Sequence, residues 1–297
     1  MAAVSRPPAK DVGVLAAAVF AVSTSAPLIA ATAAPALAIA FWRNAFAVVF
    51  LLPVALWRAQ VELRAMTGRQ WRLCVLAGMF LACHFGTWVP SVRLTSVASA
   101  TALVATQPVW AAVIARLRGQ GVSRQIWLGI GVAVVGAAVL TGADVTLSAR
   151  ALLGDALAII GGVLAACYVT AGAAARADVS TTVYITVCYG TSAVGLFGCC
   201  LVGGQPLAGY PADAWLKIAA LTLLAQLLGH SLVNAVLRST GPTVVSMAIL
   251  FEVPGASLIA AGWLHELPAA TALPGLLLLL AGVGLVIRAG ARSVPVD

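Results

Sequence analysis

Charged residues are scarce in this sequence: 17 Lys and Arg and 9 Asp and Glu make up only 9% of 297 residues. A soluble domain needs about a quarter of its residues charged, so the composition excludes a soluble globular protein. It also excludes an intrinsically disordered chain and a nucleic-acid-binding protein. There is no Walker A, H-E-x-x-H or G-x-S-x-G motif and no length left for an aqueous domain, so this chain alone cannot use ATP to drive transport.

Cysteine and histidine are too scattered for a metal site. The six cysteines fall within apolar segments, form no C-x-x-C pair and do not cluster with any of the three histidines. We interpret them as packing residues, with disulfides and zinc–thiolate chemistry as the disfavoured alternatives. The sequence therefore predicts no metal and no cofactor.

Hydrophobic residues dominate instead, at 62% of the chain, and the mean hydropathy is +1.05. Ten helices of about 22 residues would use most of the chain and leave only short connections. We predict an all-α polytopic membrane protein with ten transmembrane helices near residues 12–31, 35–57, 71–92, 95–116, 124–141, 151–175, 180–202, 213–237, 241–264 and 268–288.

The cations lie almost entirely on one side of this predicted topology. Arg43 lies inside a span, and the other side holds only Arg93, Arg150 and Lys217. The cation-rich side carries Arg6, Lys10, Arg58, Arg64, Arg69, Arg72, Arg116, Arg118, Arg124, Arg176, Arg238, Arg288 and Arg292. The positive-inside rule then places both termini in the cytoplasm, and we expect the cytoplasmic (inner) membrane of a bacterium. We favour a retained first helix over a cleaved signal peptide, because its removal would destroy this alternation.

The two halves of the sequence share a faint internal repeat. Each half holds five predicted spans, and an odd number of crossings inverts the second half relative to the first. The sequence thus predicts two inverted five-helix repeats, residues 1–145 and 146–297, an arrangement that many secondary transporters use to alternate around a central site. A shift of 146 positions pairs His84 with His230, Pro108 with Pro254, Gly129 with Gly275, and Gly136 with Gly282.

Several segments resemble the EamA group of the drug/metabolite transporter superfamily. Arg43 matches the arginine that is characteristic of its second helix. The second, fourth, sixth, ninth and tenth helices of that family are similar to PALAIAFWRNAFAVV (35–49), TALVATQPVWAAVIARLR (101–118), GDALAIIGGVLAACYVTAGAAAR (154–176), AILFEVPGASLIAAGWLHEL (248–267) and PAATALPGLLLLLAGVGLVI (268–287).

The sequence departs from this family pattern at two places. The glutamate common after the fourth helix is Gln120 here, although its partner after the ninth helix, Glu266, is retained. Ser23, Thr24 and Ser25 replace the Trp-Gly pair often found in the first helix. We expect the second departure to change the wall of the transport cavity and hence the choice of substrate.

The resemblance implies ten helices in two inverted units and the export or uptake of a small metabolite. We expect a secondary active transporter that exports amino acids or related amphipathic metabolites by alternating access, with the proton as candidate coupling ion. Its expected partners are a small-molecule substrate and the lipid bilayer, and its expected state is a monomer or weak homodimer.

Two other functional classes remain as alternatives. The first is an intramembrane enzyme that uses His84, His230 or Glu252. It is disfavoured because the sequence suggests no second carboxylate at depth. The second is a passive channel or a scaffold without transport activity, which sequence alone does not separate from a carrier.

Arg43 and Glu252 are predicted to lie at similar depth, about 18 and 17 Å from the cytoplasmic edge at 1.5 Å per residue. An ionisable side chain inside a bilayer is expected to face a cavity or a partner. Arg43 suits a substrate carboxylate, and Glu252 suits a proton carrier. A static ion pair between the two helices is an equally weighted alternative.

The two repeat-paired histidines are predicted to differ in depth by about 12 Å, which argues against a shared metal ion. Trp88 follows His84 by four residues, and Gln226 and Asn234 flank His230 at the same spacing. This spacing places each set on one helix face, so we predict that they line a hydrated pathway. The alternative is that each histidine bonds to a neighbouring carbonyl in a packed bundle.

Pro108 and Pro254 should interrupt the fourth and ninth helices, because proline leaves the carbonyl four residues earlier without its helical donor. Each kink is expected either to open towards a cavity or to be fixed by packing. Gln107, Trp110 and Tyr168 complete the predicted substrate site. Packing is the alternative role for the aromatic residues.

Overall fold

A computed structural model of the chain describes residues 9–145, 148–229, 232 and 248–292, and every regular element in those ranges is helical. The predicted all-α class is therefore confirmed. In chain order the α-helices are α1 (Ala9–Ser23), α2 (Ser25–Ala31), α3 (Ala36–Arg58), α4 (Gln60–Ala65), α5 (Gly68–Ser91), α6 (Val97–Val104), α7 (Gln107–Leu117), α8 (Arg124–Val145), α9 (Ala149–Arg176), α10 (Thr181–Val202), α11 (Ala212–Ala220), α12 (Glu252–Ile259) and α13 (Leu273–Arg292). Two π-helical segments, π1 (Leu221–Gly229) and π2 (Ala260–Leu264), continue α11 and α12.

Seven helical segments in the described ranges are long and apolar enough to cross a membrane, and α8 and α13 hold shorter apolar stretches. The chain is thus a multi-pass membrane protein. The seven segments begin within a few residues of the predicted spans, although residues 233–247 of the predicted eighth and ninth spans lie outside the described ranges. They are Asp11–Ala31, Ala36–Arg58, Gly68–Ser91, Val97–Leu117, Ala149–Arg176, Thr181–Val202 and Ala212–Gly229.

Side-chain caps define where four of the long segments begin. Thr67, Ser96, Ser148 and Ser180 each accept a hydrogen bond from a backbone N–H in the first turn of α5, α6, α9 and α10. The first turn of a helix has no intrahelical acceptors for its N–H groups. These hydroxyl residues therefore fix the ends of the helices where the chain turns back into the membrane.

A break in the helix lies beside each of Pro108 and Pro254. A turn at residues 105–106 separates α6 from α7, and Pro108 lies in the first turn of α7. In the second half, a turn at residues 250–251 precedes α12, and Pro254 again lies in the first turn. Because proline cannot donate a backbone hydrogen bond, both helices restart at nearly equivalent positions of the repeat.

The contacts between the first and second halves of the chain are symmetric. A shift of 146 residues relates α1 to α9, α3 to α10, α5 to α11 with π1, α7 to α12, and α8 to α13. Helix α5 packs on α9 as π1 packs on α1, and α7 packs on α9 as α12 packs on α1. Each of the pairs α3 with α10 and α8 with α13 joins two equivalent helices.

The four repeat-paired glycines lie together in the α8–α13 interface. Gly129 lies against Gly282, and Gly136 lies against Gly275. Because the higher-numbered glycine of α8 meets the lower-numbered glycine of α13, the two helices run antiparallel. A Cβ added to Gly136 would lie 2.2 Å from the backbone nitrogen of Leu279. Only glycine therefore permits this separation of the two backbones.

The substitution Gly136→Val should destabilise the protein, because its side chain would push α8 away from α13. Overpacking typically costs about 1–3 kcal/mol, so we expect a clearly lower melting temperature for the detergent-solubilised protein. The matched control is Gly131→Ala, also in α8, where an added Cβ meets no heavy atom within 4 Å. Equal melting of the Gly136 variant and the wild type would contradict the close packing of these helices.

Candidate functional site

A cavity of about 390 Å³ lies between helices of both halves. Its wall is largely apolar and contains a small number of polar side chains, as ligand cavities in proteins usually do. The structure brings together many of the residues that the sequence suggested. Those that line the cavity are Arg43, His84, Trp88, Gln107, Pro108, Tyr168, Gln226 and Glu252.

Among the described residues, one predicted substrate-binding residue, Trp110, is not part of this wall. Trp110 packs away from the cavity, and its indole N–H donates to the Thr106 hydroxyl at 3.0 Å. The contact of Trp110 in this structure is therefore a packing contact, the alternative role given above for the aromatic residues. His230 and Asn234 lie outside the described residues.

The guanidinium of Arg43 is buried at the centre of the site. The residue is only 2% exposed. Its Nε donates to Oε1 of Gln226 at 2.7 Å, and its Cζ lies 4.3 Å from the ring centroid of Phe85. Its Nη1 is buried and has no acceptor among the described residues. The Nε side of the guanidinium is therefore held by Gln226, whereas Nη1 still has hydrogen-bonding capacity to offer.

Gln226 reaches Arg43 from π1 of the second half. Its Nε2 lies 3.4 Å from Oδ1 of Asn44, whose own Nδ2 donates to the Ala40 carbonyl at 2.8 Å. Asn44 was missed by the sequence analysis, although it is an amide at mid-span directly beside Arg43. The wide turns of a π-helix are frequently found at functional sites, and here they contain the glutamine that holds the arginine.

His84 and Trp88 form one aromatic wall on α5. Their rings are stacked at 10° with centroids 5.8 Å apart. His84 Nδ1 lies 2.9 Å from the carbonyl oxygen of Gly161 on α9, so this nitrogen donates when it is protonated. Both interpretations of His84 therefore apply, because it bonds to a neighbouring carbonyl and also lines the cavity.

Glu252 lines the same cavity as Arg43, but the two do not form a direct ion pair. In the described part of the chain, ion pairs join Arg69 to Asp178 and Lys217 to Asp213. The static Arg43–Glu252 pair is thus absent, and Arg43 is held by Gln226 instead. The cavity consequently carries a cationic and an anionic side chain that do not neutralise each other by contact.

Asp155 is a buried carboxylate that the sequence analysis did not weigh. It is fully buried in α9. The argument that no second carboxylate lies at depth is therefore wrong. Asp155 does not line the cavity, so it does not add a second carboxylate to the site. The sequence feature that could have identified Asp155 is an aspartate within a long apolar segment.

The cavity extends towards the end of the bundle that carries most cations. Arg176, at the C-terminal end of α9, belongs to its wall, as do Tyr184 and Tyr189 near the start of α10. Tyr168 stacks on Tyr184 at 19° with centroids 6.4 Å apart. The sequence analysis counted Arg176 only as a loop cation and did not consider Tyr184 or Tyr189.

The opposite, cation-poor end, defined by Arg93, Arg150 and Lys217, is closed by hydrogen bonds between helices. Arg93 donates to the Thr32 carbonyl at 2.6 Å, and Lys217 donates to the Ala31 carbonyl at 3.1 Å. Both carbonyls lie at the C-terminal end of α2, where a helix leaves acceptors free and attracts cations. The two cations come from different halves of the chain.

The retained family glutamate also acts at this end. Glu266 Oε1 accepts a 2.6 Å hydrogen bond from the backbone N–H of Val97, the first residue of α6. A carboxylate at this position satisfies a free N–H and interacts favourably with the helix dipole. Glu266 follows π2, so this contact again joins the second half to the first.

The segment Ser23, Thr24 and Ser25, which departs from the family pattern, contacts α12 through Ser23 and the cavity through Ser25. A Cβ added to Gly255 of α12 would lie 2.3 Å from the Ser23 hydroxyl. Thr24 separates α1 from α2 and donates to the Ala21 carbonyl at 2.7 Å. Ser25 lines the cavity itself. The segment therefore forms part of the wall, as expected.

These features define a polytopic membrane protein with a largely apolar cavity that holds a few polar side chains. The model of the EamA-like transporter family matches residues 12–142 and, separately, residues 152–288. The chain belongs to the EamA-like transporter family of the drug/metabolite transporter superfamily, and it is a membrane transporter of small molecules. The resemblance expected from the sequence is confirmed.

A similar fold is found among solved structures. One crystal structure of a protein with 17% sequence identity superposes with a TM-score of 0.64, over 96% of this chain and 99% of that chain. No curated protein matches the chain significantly. The family match therefore identifies the class of protein, whereas the solved structure supports the fold alone.

Replacing Gln226 by Leu should destabilise the protein, because Arg43 Nε would lose its acceptor. Hydrogen bonds to charged groups contribute about 1.5–3 kcal/mol, so the melting temperature should fall by several degrees. Gln125→Leu, at an exposed position of α8, is the matched control and should melt like the wild type. If the Gln226 variant also melts unchanged, Gln226 does not hold the guanidinium.

Proposed function

We propose that this protein is a secondary active transporter that exports amino acids or related amphipathic metabolites by alternating access. One observation carries the proposal: the cavity is lined by both Arg43 and Glu252, and no direct ion pair joins them. A zwitterion presents a carboxylate to the cation and an ammonium group to the carboxylate. The apolar remainder of the wall accommodates its side chain.

The helix contacts support an inverted repeat of two five-helix units, residues 1–145 and 146–297, in a ten-helix bundle. The contacts between the two halves are symmetric, and α8 and α13 run antiparallel. Exchanging the halves converts the Gly129–Gly282 contact into the Gly275–Gly136 contact, which is also present. This is the behaviour expected of two units related by a twofold axis in the membrane plane.

The two ends of the bundle support one step of alternating access. Hydrogen bonds from Arg93, Lys217 and Val97 join helices at the cation-poor end. The cavity instead extends to Arg176 at the cation-rich end. By the positive-inside rule the cation-rich end is cytoplasmic. The structure then corresponds to a state that is closed to the outside.

The cellular context of the proposal follows from the same charge distribution. Both termini lie in the cytoplasm, the membrane is the bacterial cytoplasmic membrane, and the protein acts as a monomer or weak homodimer. Export begins with the substrate entering from the cytoplasm, the side towards which the cavity extends. An intramembrane enzyme is the weaker candidate, because Glu252 is the only carboxylate among the described residues that line the cavity.

Counterflow in proteoliposomes should separate a carrier from a channel and a scaffold. Vesicles preloaded with an unlabelled amino acid should accumulate the labelled amino acid transiently, because an alternating carrier exchanges substrates across the membrane. Flux without trans-stimulation would indicate a channel, and no flux for any amino acid would contradict the proposal. Protein-free vesicles provide the control.

Glu252→Gln should abolish proton-driven accumulation, because the amide cannot take up and release a proton. Counterflow should persist at a higher half-saturating concentration, because the amide oxygen still accepts a hydrogen bond from the ammonium group but carries no charge. The measurement is uptake under an imposed pH gradient, compared with counterflow at equal pH on both sides. Asp155→Asn serves as the control at a buried carboxylate outside the cavity. Unchanged proton-driven uptake in the Glu252 variant would rule out its role as proton carrier.

The double substitution Arg93→Ala with Lys217→Ala should favour opening of the cation-poor end. Loss of both donors frees the C-terminal carbonyls of α2. A cysteine placed at Thr101, which lines the cavity, should then react faster with a membrane-impermeant maleimide added outside intact cells.

The background for this experiment replaces the exposed cysteines Cys83 and Cys199 by alanine. Arg69→Ala, which removes an ion pair at the cation-rich end, is the control and should not accelerate labelling. Equal labelling with and without the double substitution would show that these cations do not hold the outer end closed.

A further inference from the structure

Two residues of the cavity wall each carry a buried N–H donor that has no acceptor among the described residues. The donors are Arg43 Nη1 and Trp88 Nε1, and both residues line the cavity with exposures of only 2% and 5%. Within the described residues, no other cavity-lining side chain has a buried nitrogen or oxygen without a partner. Folded proteins seldom leave such groups unsatisfied, so this pair indicates an acceptor that binds and leaves.

The two donors belong to the same part of the wall. The Arg43 guanidinium lies over the ring of Phe85, and Trp88 follows Phe85 by three residues on α5. Residues three apart on a helix are neighbours on its surface. Arg43 therefore lies over the Phe85 ring, and Trp88 occupies the neighbouring position on the same helix.

Contacts with neighbouring residues hold the side chains of Arg43 and Trp88 in place. Gln226 accepts from Arg43 Nε at 2.7 Å, which leaves Nη1 for another acceptor. The Trp88 ring is stacked on His84, and His84 is anchored to the Gly161 carbonyl. A ligand that uses the two free N–H groups therefore finds them already ordered, which reduces the entropic cost of binding.

We propose that Arg43 Nη1 and Trp88 Nε1 together bind the carboxylate of the transported metabolite, one N–H to each oxygen. The inference rests on the proposed function and assigns its anion subsite. A monocarboxylate matches the single positive charge of Arg43. A phosphate group fits less well, because it presents three strong acceptor oxygens and only two buried donors of this wall lack a partner among the described residues.

The surrounding rings define the remainder of the ligand. Phe85, Trp88 and His84 present aromatic surface beside the two donors. Aromatic surfaces of this kind favour stacking with flat or apolar groups. The subsite therefore selects a carboxylate attached to an aromatic or branched apolar group, rather than a sugar or a polyamine.

The test compares amino acids with their carboxamides, which lack the carboxylate, in counterflow. The probes are L-phenylalanine, L-tryptophan and L-leucine, each paired with its carboxamide. The wild type should exchange acids and reject the corresponding amides. Trp88→Phe keeps an aromatic ring but removes the indole N–H, so the half-saturating concentration of the acids should rise by about tenfold to a hundredfold.

Trp110→Phe is the matched control. Its indole N–H is already satisfied by Thr106 outside the cavity, so this variant should retain the wild-type half-saturating concentrations. Arg43→Gln should remove the preference for acids over amides. If that variant does not yield a monodisperse protein, Trp88→Phe still decides the question.

The outcomes separate the two proposals. If no acid and no amide is exchanged, the proposed function fails. If acids and amides are exchanged equally, or if Trp88→Phe and Trp110→Phe behave alike, the transporter proposal stands and the carboxylate subsite is overturned. Selective loss of acid exchange in the Trp88 variant supports the subsite.

Discussion

The burial of one guanidinium is the constraint around which this structure is built. A cation inside a lipid-embedded bundle is costly unless polar partners surround it. Arg43 obtains them from Gln226 and from the face of Phe85. These partners lie on π1 and α5, so satisfying one charge fixes the position of helices from both halves. The remaining unsatisfied donor lies on the wall of the cavity.

The contacts between the halves divide into two kinds with different physical character. In the α8–α13 interface, glycines let two backbones approach so closely that no side chain fits between them. At the cation-poor end, the contacts are hydrogen bonds to helix termini. Tight backbone packing resists separation, whereas individual hydrogen bonds exchange readily with water. A rigid interface combined with a breakable end suits a protein whose halves rock about a central site.

Some site residues were predictable because charged side chains and prolines are uncommon inside apolar membrane spans. A charge or a proline in an apolar span requires an explanation, and Arg43, Glu252 and Pro108 all proved to line the cavity. Trp110 and Asn44 were misjudged for a different reason. A tryptophan inside a span can face lipid, pack against another helix or contact a ligand, so its residue type alone does not predict its role. The helix break beside Pro108 also changes which face of the helix carries Trp110.

The sequence by itself determined the class of protein, the positions of the helices and their breaks, because hydropathy and proline act locally along the chain. The shift of 146 positions also showed which residues of the two halves correspond to each other. Only the tertiary structure decided that Gln226 holds Arg43 and that Arg43 and Glu252 remain apart. Such distances depend on how helices rotate and approach one another, which is set by packing among distant residues and not by local composition.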